Sequence, residues 1–150
     1  MTKRISWIRA AEKDFRKFPI AVQDQMKNAL DIAALGKKAD FAKPMKGWGS
    51  GIFEIALPYQ TNAYRAIYAL QLNEDIWVLH AFQKKSQTGI KTPKQEINLV
   101  KDRLKRLKEM LKWKRKKKSW KSYEGVEIFF VILAILMQNS GISSVNWLPK

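Results

Sequence analysis

The chain has no cysteine and a single histidine, His80, among its 150 residues. Without cysteine there is no disulfide framework and no thiolate metal site. One histidine and scattered carboxylates leave no spacing that makes a ligand set, so metal catalysis is disfavoured and no cofactor is expected. A nucleophile motif such as Gly-x-Ser-x-Gly is missing, as is any internal repeat. Long apolar runs are missing too. The segment Val126–Met137, VEIFFVILAILM, is too short to span a bilayer core of about 30 Å, which takes roughly 20 residues. The N-terminal TKRISWIRAAEKDF lacks the apolar core of a signal peptide, so the expected compartment is the cytoplasm.

Acidic residues are scarce as well, 13 against 29 Lys and Arg, for a formal charge of +16. That balance points to a polyanionic partner, nucleic acid or the ribosome before an anionic membrane, with binding that weakens steeply as salt rises. The charge is uneven: residues 101–121 carry 12 basic and 2 acidic side chains, whereas residues 122–150 carry 1 and 2. A basic block of this kind reads either as a solvated polyanion patch or as a specific RNA contact. Hydrophobic content of 46% with six Trp indicates a folded chain, and 150 residues suffice for one domain with a sizeable core.

Lys3 to Ile8 alternates weakly and suits a short strand. Ala10 to Lys17 reads as a helix. After Pro19 a second helix carries Val22, Met26, Ala29, Leu30 and Ala33 on one stripe, with Gly36 where a C-terminal cap belongs. The pair makes a helical hairpin, and Lys37 to Gly51, rich in Gly with one Pro, reads as loop. Three strands follow, Ile52 to Tyr59, Ala63 to Leu72 and Asp75 to Lys84, and their short links favour an antiparallel meander. Alternation puts Phe53, Ile55, Leu57 and Tyr59 on one face and Tyr64, Ala66, Tyr68 and Leu70 on one face of the next strand. Glu54 and Arg65 then share the opposite face, away from the helices. The last helix begins at Pro93 with a stripe of Ile97, Val100, Leu104, Leu107 and Leu111. The fold class is therefore α+β: a small antiparallel sheet of three meander strands plus a short N-terminal strand, a helical hairpin on one face, and a basic C-terminal helix.

The stretch Trp77 to Ile97, WVLHAFQKKSQTGIKTPKQEI, runs an apolar strand into Lys84 and Lys85 and then, past Gly89, into a helix start. Thr92 suits the N-cap, Pro93 the first helical position, and Gln95 completes a capping box. Cations between a strand end and a helix N-terminus favour an anionic ligand. His80 shares strand parity with Val78 and Phe82, which favours a satisfied, partly buried histidine over an acid or base.

This order of elements, with the motifs GIFEIALPYQTNAYRAIYAL and WVLHAFQKKSQTGIKTPKQEI, resembles the RelE/ParE toxin superfamily and within it the phage-derived HigB-like branch, over residues 3 to 111. The resemblance implies a ribosome-associated mRNA endonuclease, neutralised by a nearby-encoded helix-turn-helix antitoxin of HigA type, with mRNA and the ribosome as further partners and no integral membrane association. It implies that Arg65 is the strand arginine that stabilises the scissile phosphate, and that Lys84 and Lys85 are the basic pair ending the next strand. The C-terminal tyrosine or histidine of some relatives has no counterpart here, since Lys91 and Thr92 occupy that neighbourhood. In metal-free RNA cleavage the substrate's own 2′-OH attacks and the protein supplies charge and position. Glu54 is then either the base or a surface carboxylate paired with Arg65. Lys43, Lys46 and Trp48, with Lys91 and Lys94, are candidate substrate contacts; the first three read equally as a solvated loop with Trp48 folded onto the core. A ParE-like gyrase inhibitor without nuclease activity and a non-catalytic RNA-binding phage accessory protein are the competing readings. The chain divides into a toxin domain (1–111), a basic extension (112–123) and an apolar tail (124–150). The tail reads as an added core element, an interfacial anchor, or a segment foreign to the domain, such as an out-of-frame reading of a neighbouring antitoxin gene.

Overall fold

Period-2 alternation through residues 52–84 becomes three long strands in the computed structural model, which describes residues 2–72, 74–85, 91–120 and 135–136. In chain order the elements are β1 (Ile5–Trp7), α1 (Arg9–Phe15), α2 (Ile20–Ala34), β2 (Ala42–Pro44), β3 (Ile52–Tyr59), β4 (Asn62–Leu72), β5 (Asp75–Lys84) and α3 (Lys94–Trp120). Gly89 and, apart from 135–136, the 124–150 segment lie outside the described residues. The chain divides into two units, Met1–Leu111 and Lys112–Lys150. The sheet and the hairpin belong to the first. In the second, Lys117 Nζ lies 5.4 Å from the centroid of the Trp113 ring.

The sheet runs β1-β5-β4-β3-β2. β3, β4 and β5 form the expected antiparallel meander, and the short N-terminal strand β1 pairs in parallel with β5, Ile5 opposite Ile76. The fifth strand corrects the sequence reading, which left Lys37 to Gly51 as loop. Ala42, Lys43 and Pro44 pair with Ile55, Glu54 and Phe53. Pro44 has no N–H to give a ladder, and an edge strand is where a sheet tolerates that. Three residues are too few for alternation to announce them. The first helix also ends earlier than expected, because Phe15 and Phe18 both turn into the core and the chain bends between them. The last helix starts at Lys94 rather than Pro93 and does not stop where its apolar stripe ends. Beyond Leu111 the Lys and Arg run keeps good helix propensity without any apolar face.

Each face of the sheet buries a separate cluster. On one, Phe15, Phe18, Val22, Met26 and Leu30 pack on Ile55, Leu57, Tyr64, Tyr68 and Val78. On the other, Val100, Leu104, Leu107 and Leu111 of α3 cover Ile52, Ile67, Ala69, Leu79 and Phe82. The central strands are thus buried on both sides, which explains why β5 reads as almost continuously apolar. Tyr68 is 1% exposed, and burial pushes its phenol up to about 12. Gly36 takes φ +78° after α2, and its N–H and that of Lys37 bond back to Ala33 and Ile32, closing the helix as its position suggested.

Candidate active site

Strand parity on β4 sends Arg65 to the same face as Ile67 and Ala69, the face on which α3 lies. The register sets Ala56 opposite Arg65 and Ile67 opposite Glu54, so the arginine and the carboxylate are diagonal neighbours on adjacent strands. Arg65 Nη1 donates to Glu54 Oε1 at 2.9 Å and to Thr92 Oγ1 at 3.1 Å. Thr92 Oγ1 in turn donates to Glu54 Oε1 at 2.7 Å. The three side chains close a triangle of hydrogen bonds at the start of α3. It is nearly shut off from water, the side chains of Arg65 and Glu54 being 8% and 17% exposed. Sharing of a face by Glu54 and Arg65 is as the alternation predicted. The expectation that this face lies away from the helices is corrected, since α3 covers it.

Thr92 also faces the sheet. Its hydroxyl donates to the Glu54 carboxylate, and the first turn of α3 is closed by Ile97 N–H bonding to the Pro93 carbonyl at 3.1 Å. Sequence alone sees a good capping residue in front of a helix; the bond to a carboxylate 38 positions away uses the hydroxyl's proton, which a cap leaves free, and a charged acceptor strengthens it.

Two lysines join this face through the ladder. Lys43 pairs with Glu54 across β2 and β3, and Lys84 pairs with Ala63, two residues from Arg65 on β4. Directly paired residues project to one side, so both lie on the Arg65 side of the sheet. Lys85 does not join them by any ladder position: it follows the end of β5 in a bend and is exposed. Lys46 is exposed in a turn, and Lys91 and Lys94 are exposed on either side of Thr92 and Pro93 in sequence. Trp48 is half-buried against the α3-side core, with Lys101 Nζ 5.6 Å from its ring centroid. Its ring is therefore folded onto the core rather than presented from the loop.

His80 occupies a second polar cluster on the same face. The ladder pairs Ile67 with His80 but Tyr68 with Val78, so Leu79 is an extra residue on β5. Such a bulge breaks the parity from which His80 was grouped with Val78. Val78 packs in the hairpin-side core, whereas His80 stacks on Phe82 at 5.2 Å on the α3 side. His80 is 4% exposed and doubly engaged, Nε2 with Glu96 Oε2 and Nδ1 with Arg103 Nη1 at 2.8 Å. Arginine only donates, so Nδ1 holds the lone pair and Nε2–H points at the Glu96 carboxylate. Arg103 Nη1 also donates to the Leu79 carbonyl at 3.0 Å, tying α3 to the bulge. Burial pushes the Arg103 guanidinium below its ordinary value, with Asp14 and Glu96 opposing that shift. A satisfied, buried histidine was the expectation; its partners were not foreseen. Their trace in sequence is the seven-residue spacing of Glu96 and Arg103, which places both on one side of α3 around Val100.

Among the described residues no group of three His, Asp or Glu side chains could hold a metal ion. No described helix is long and apolar enough to cross a membrane. What the arrangement offers chemically is a nearly buried guanidinium against a carboxylate, two further cations on the same face, and a helix N-terminus beside them, a combination suited to an anionic, phosphate-bearing ligand.

Residues 13–105 match the family described as phage derived protein Gp49-like (DUF891). Among curated proteins there is no match. Two solved structures resemble the chain distantly. One is a double arginine-to-alanine mutant of the E. coli toxin RelE in the free state, at 18% identity, covering 54% of this chain and 82% of that one with a TM-score of 0.44. The other is the toxin–antitoxin complex RelBE2 of Mycobacterium tuberculosis, at 15% identity, covering 57% and 95% with a TM-score of 0.39.

Proposed function

This chain belongs to the phage-derived Gp49-like family, and from that premise we propose that it is a RelE-like toxin of a type II toxin–antitoxin pair that cleaves mRNA on the ribosome. The observation that carries the chemistry is the hydrogen-bonded triangle of Arg65, Glu54 and Thr92, with Lys84 and Lys43 on the same sheet face.

In this reading the RNA supplies the nucleophile. Its 2′-OH attacks the adjacent phosphorus and the bond to the 5′-oxygen breaks. Arg65 neutralises the pentacoordinate phosphorane, which carries more charge than the ground-state diester, so the interaction is stronger in the transition state. The free protein holds Arg65 against Glu54. An incoming phosphate takes the place of that carboxylate on the guanidinium, and the released Glu54 accepts the 2′-OH proton. Thr92 holds both partners in register before the exchange. Lys84 and Lys85 add positive charge, and one of them protonates the leaving oxygen. Lys43, Lys46, Lys91 and Lys94 steer and hold the backbone. No step requires a metal ion.

The toxin domain is residues 1–111, residues 112–123 are a basic extension that raises affinity for RNA, and residues 124–150 are an apolar tail. The partner in the cell is a HigA-like helix-turn-helix antitoxin encoded nearby, and the site of action is the cytoplasm.

The test is cleavage of ribosome-bound mRNA by the purified chain against an Arg65→Ala variant whose fold is checked by circular dichroism. Cleavage that drops at least about 100-fold in the variant supports the assignment. A variant that cleaves as well as the parent removes Arg65 from the site. Induction that damages DNA and leaves mRNA intact replaces the nuclease with a gyrase-directed toxin.

A further inference from the structure

On the α3 side of the sheet a groove of about 660 Å³ opens along the helix where it passes β1, β5 and the start of α1. Trp7, Ile8, Trp77, Leu99, Leu107 and Met110 make it mostly apolar. Leu99 and Met110 are left 39% and 41% exposed, unlike the other α3 apolar residues Val100, Leu104 and Leu107, which are buried. They are eleven positions apart, about 16 Å of helix at 1.5 Å per residue. Arg9, Arg103 and Arg106 also line the groove, with Asp102 as the single acid. Leu99, Arg103, Arg106 and Met110 follow spacings of four, three and four, so apolar ends and a cationic middle lie on one side of the helix.

From this layout we infer that the groove is a docking site for an acidic amphipathic segment of a partner polypeptide. Two apolar anchors, set apart by three turns of helix, accept side chains spaced along a peptide, the arrangement of helix-in-groove recognition. Three guanidiniums against one carboxylate select acidic residues between those anchors, and arginine pairs with carboxylates in a bidentate fashion. Nucleic acid fits less well. The lining that would face its phosphates is largely aliphatic, whereas the exposed lysines of α3 offer a wholly cationic surface elsewhere. The groove shares Arg103 with the His80 cluster, so its occupant touches the residue that ties α3 to the β5 bulge. The inference stands whether or not the chain cleaves RNA.

A displayed library of random peptides of about 16 residues, selected on the full chain at about 0.15 M salt, tests it. Selected peptides are then titrated against the parent, a Leu99→Ser/Met110→Ser double variant and an Arg106→Gln variant. The double variant leaves net charge unchanged, and both of its residues are surface-exposed, so the fold is retained. Enrichment of peptides with apolar residues three or four apart between Asp and Glu, binding at least about tenfold more weakly to both variants, is the expected result. The indole N–H resonance of Trp77 shifts on binding. Peptides that bind the double variant as tightly as the parent sit elsewhere on the basic surface, and the inference fails. It fails equally if no peptide is enriched, or if a uridine oligonucleotide competes for the groove and is itself weakened by the double variant. Cleavage of ribosome-bound mRNA by the double variant is measured in parallel, so that loss of docking and loss of nuclease activity are read separately.

Discussion

Removing one charge from the Glu54–Arg65 pair, by Glu54→Gln, tests how the triangle is held. The pair is 2.9 Å apart, with side chains 8% and 17% exposed. At an effective dielectric of about 20 the gross attraction is roughly 5 kcal/mol, most of it offset by the cost of taking both ions out of water. Glutamine keeps the shape and an acceptor oxygen for Arg65 and Thr92, so the hydrogen bonds survive in weaker, neutral form. What remains is an arginine 7% exposed that has lost the Glu54 carboxylate. Breaking a buried pair in this way costs about 3–5 kcal/mol, and partial access of water at Glu54 places the expectation at the lower end, about 3 kcal/mol. With a urea m-value of about 2 kcal/mol/M, the unfolding midpoint falls by about 1.5 M at neutral pH. Replacing both partners, Glu54→Leu with Arg65→Met, removes both charges and brings stability back to within about 1 kcal/mol of the parent. Urea melts of the parent, Glu54→Leu, Arg65→Met and the double variant give the coupling energy directly. If Glu54→Gln shifts the midpoint by less than about 0.3 M, water already screens Arg65 and the reasoning from burial is wrong.

Other consequences are equally open to measurement. On the proposed nuclease reading, Lys84→Ala lowers cleavage of ribosome-bound mRNA by about 100-fold, whereas Lys85→Ala changes it by only a few-fold, because the ladder ties only Lys84 to the Arg65 face; equal effects would show that strand register does not select between them. Burial pushes the Tyr68 phenol up to about 12 in the folded chain, from about 10 when unfolded. Its contribution, about 3 kcal/mol, is therefore complete below pH 10 and lost as pH rises through 12. Stability of a Tyr68→Phe variant measured from pH 9 to 12 should fall less steeply than that of the parent by about that amount, and parallel curves would contradict it. Met26 is wholly buried on α2, so Met26→Ala costs about 2–5 kcal/mol in urea or thermal unfolding; a loss below 1 kcal/mol would mean that the hairpin-side core collapses around the gap.

The hairpin, the three-strand meander and the apolar stripe of α3 were legible because each rests on a local period of two or 3.6 repeated over enough residues to be unambiguous. Phe53, Ile55 and Leu57 needed no partner to declare their face, and neither did Glu54 and Arg65. Gly36 announced the end of α2 because a left-handed residue there is cheap only for glycine. β2 was hidden because three residues have no period, and the parallel pairing of β1 with β5 because it joins segments about 70 positions apart. One extra residue, Leu79, undid the parity of β5 and moved His80 to the other face. Local pattern cannot show such a slip, since a bulge exists only between two strands. The same limit applied to Thr92, whose bonds to Glu54 and Arg65 join residues far apart in the chain. By itself, then, the sequence determined the elements, the faces of their side chains and the excess of positive charge. Tertiary structure decided which of those side chains meet, because register, bulges and the seating of α3 depend on contacts between residues far apart in the chain.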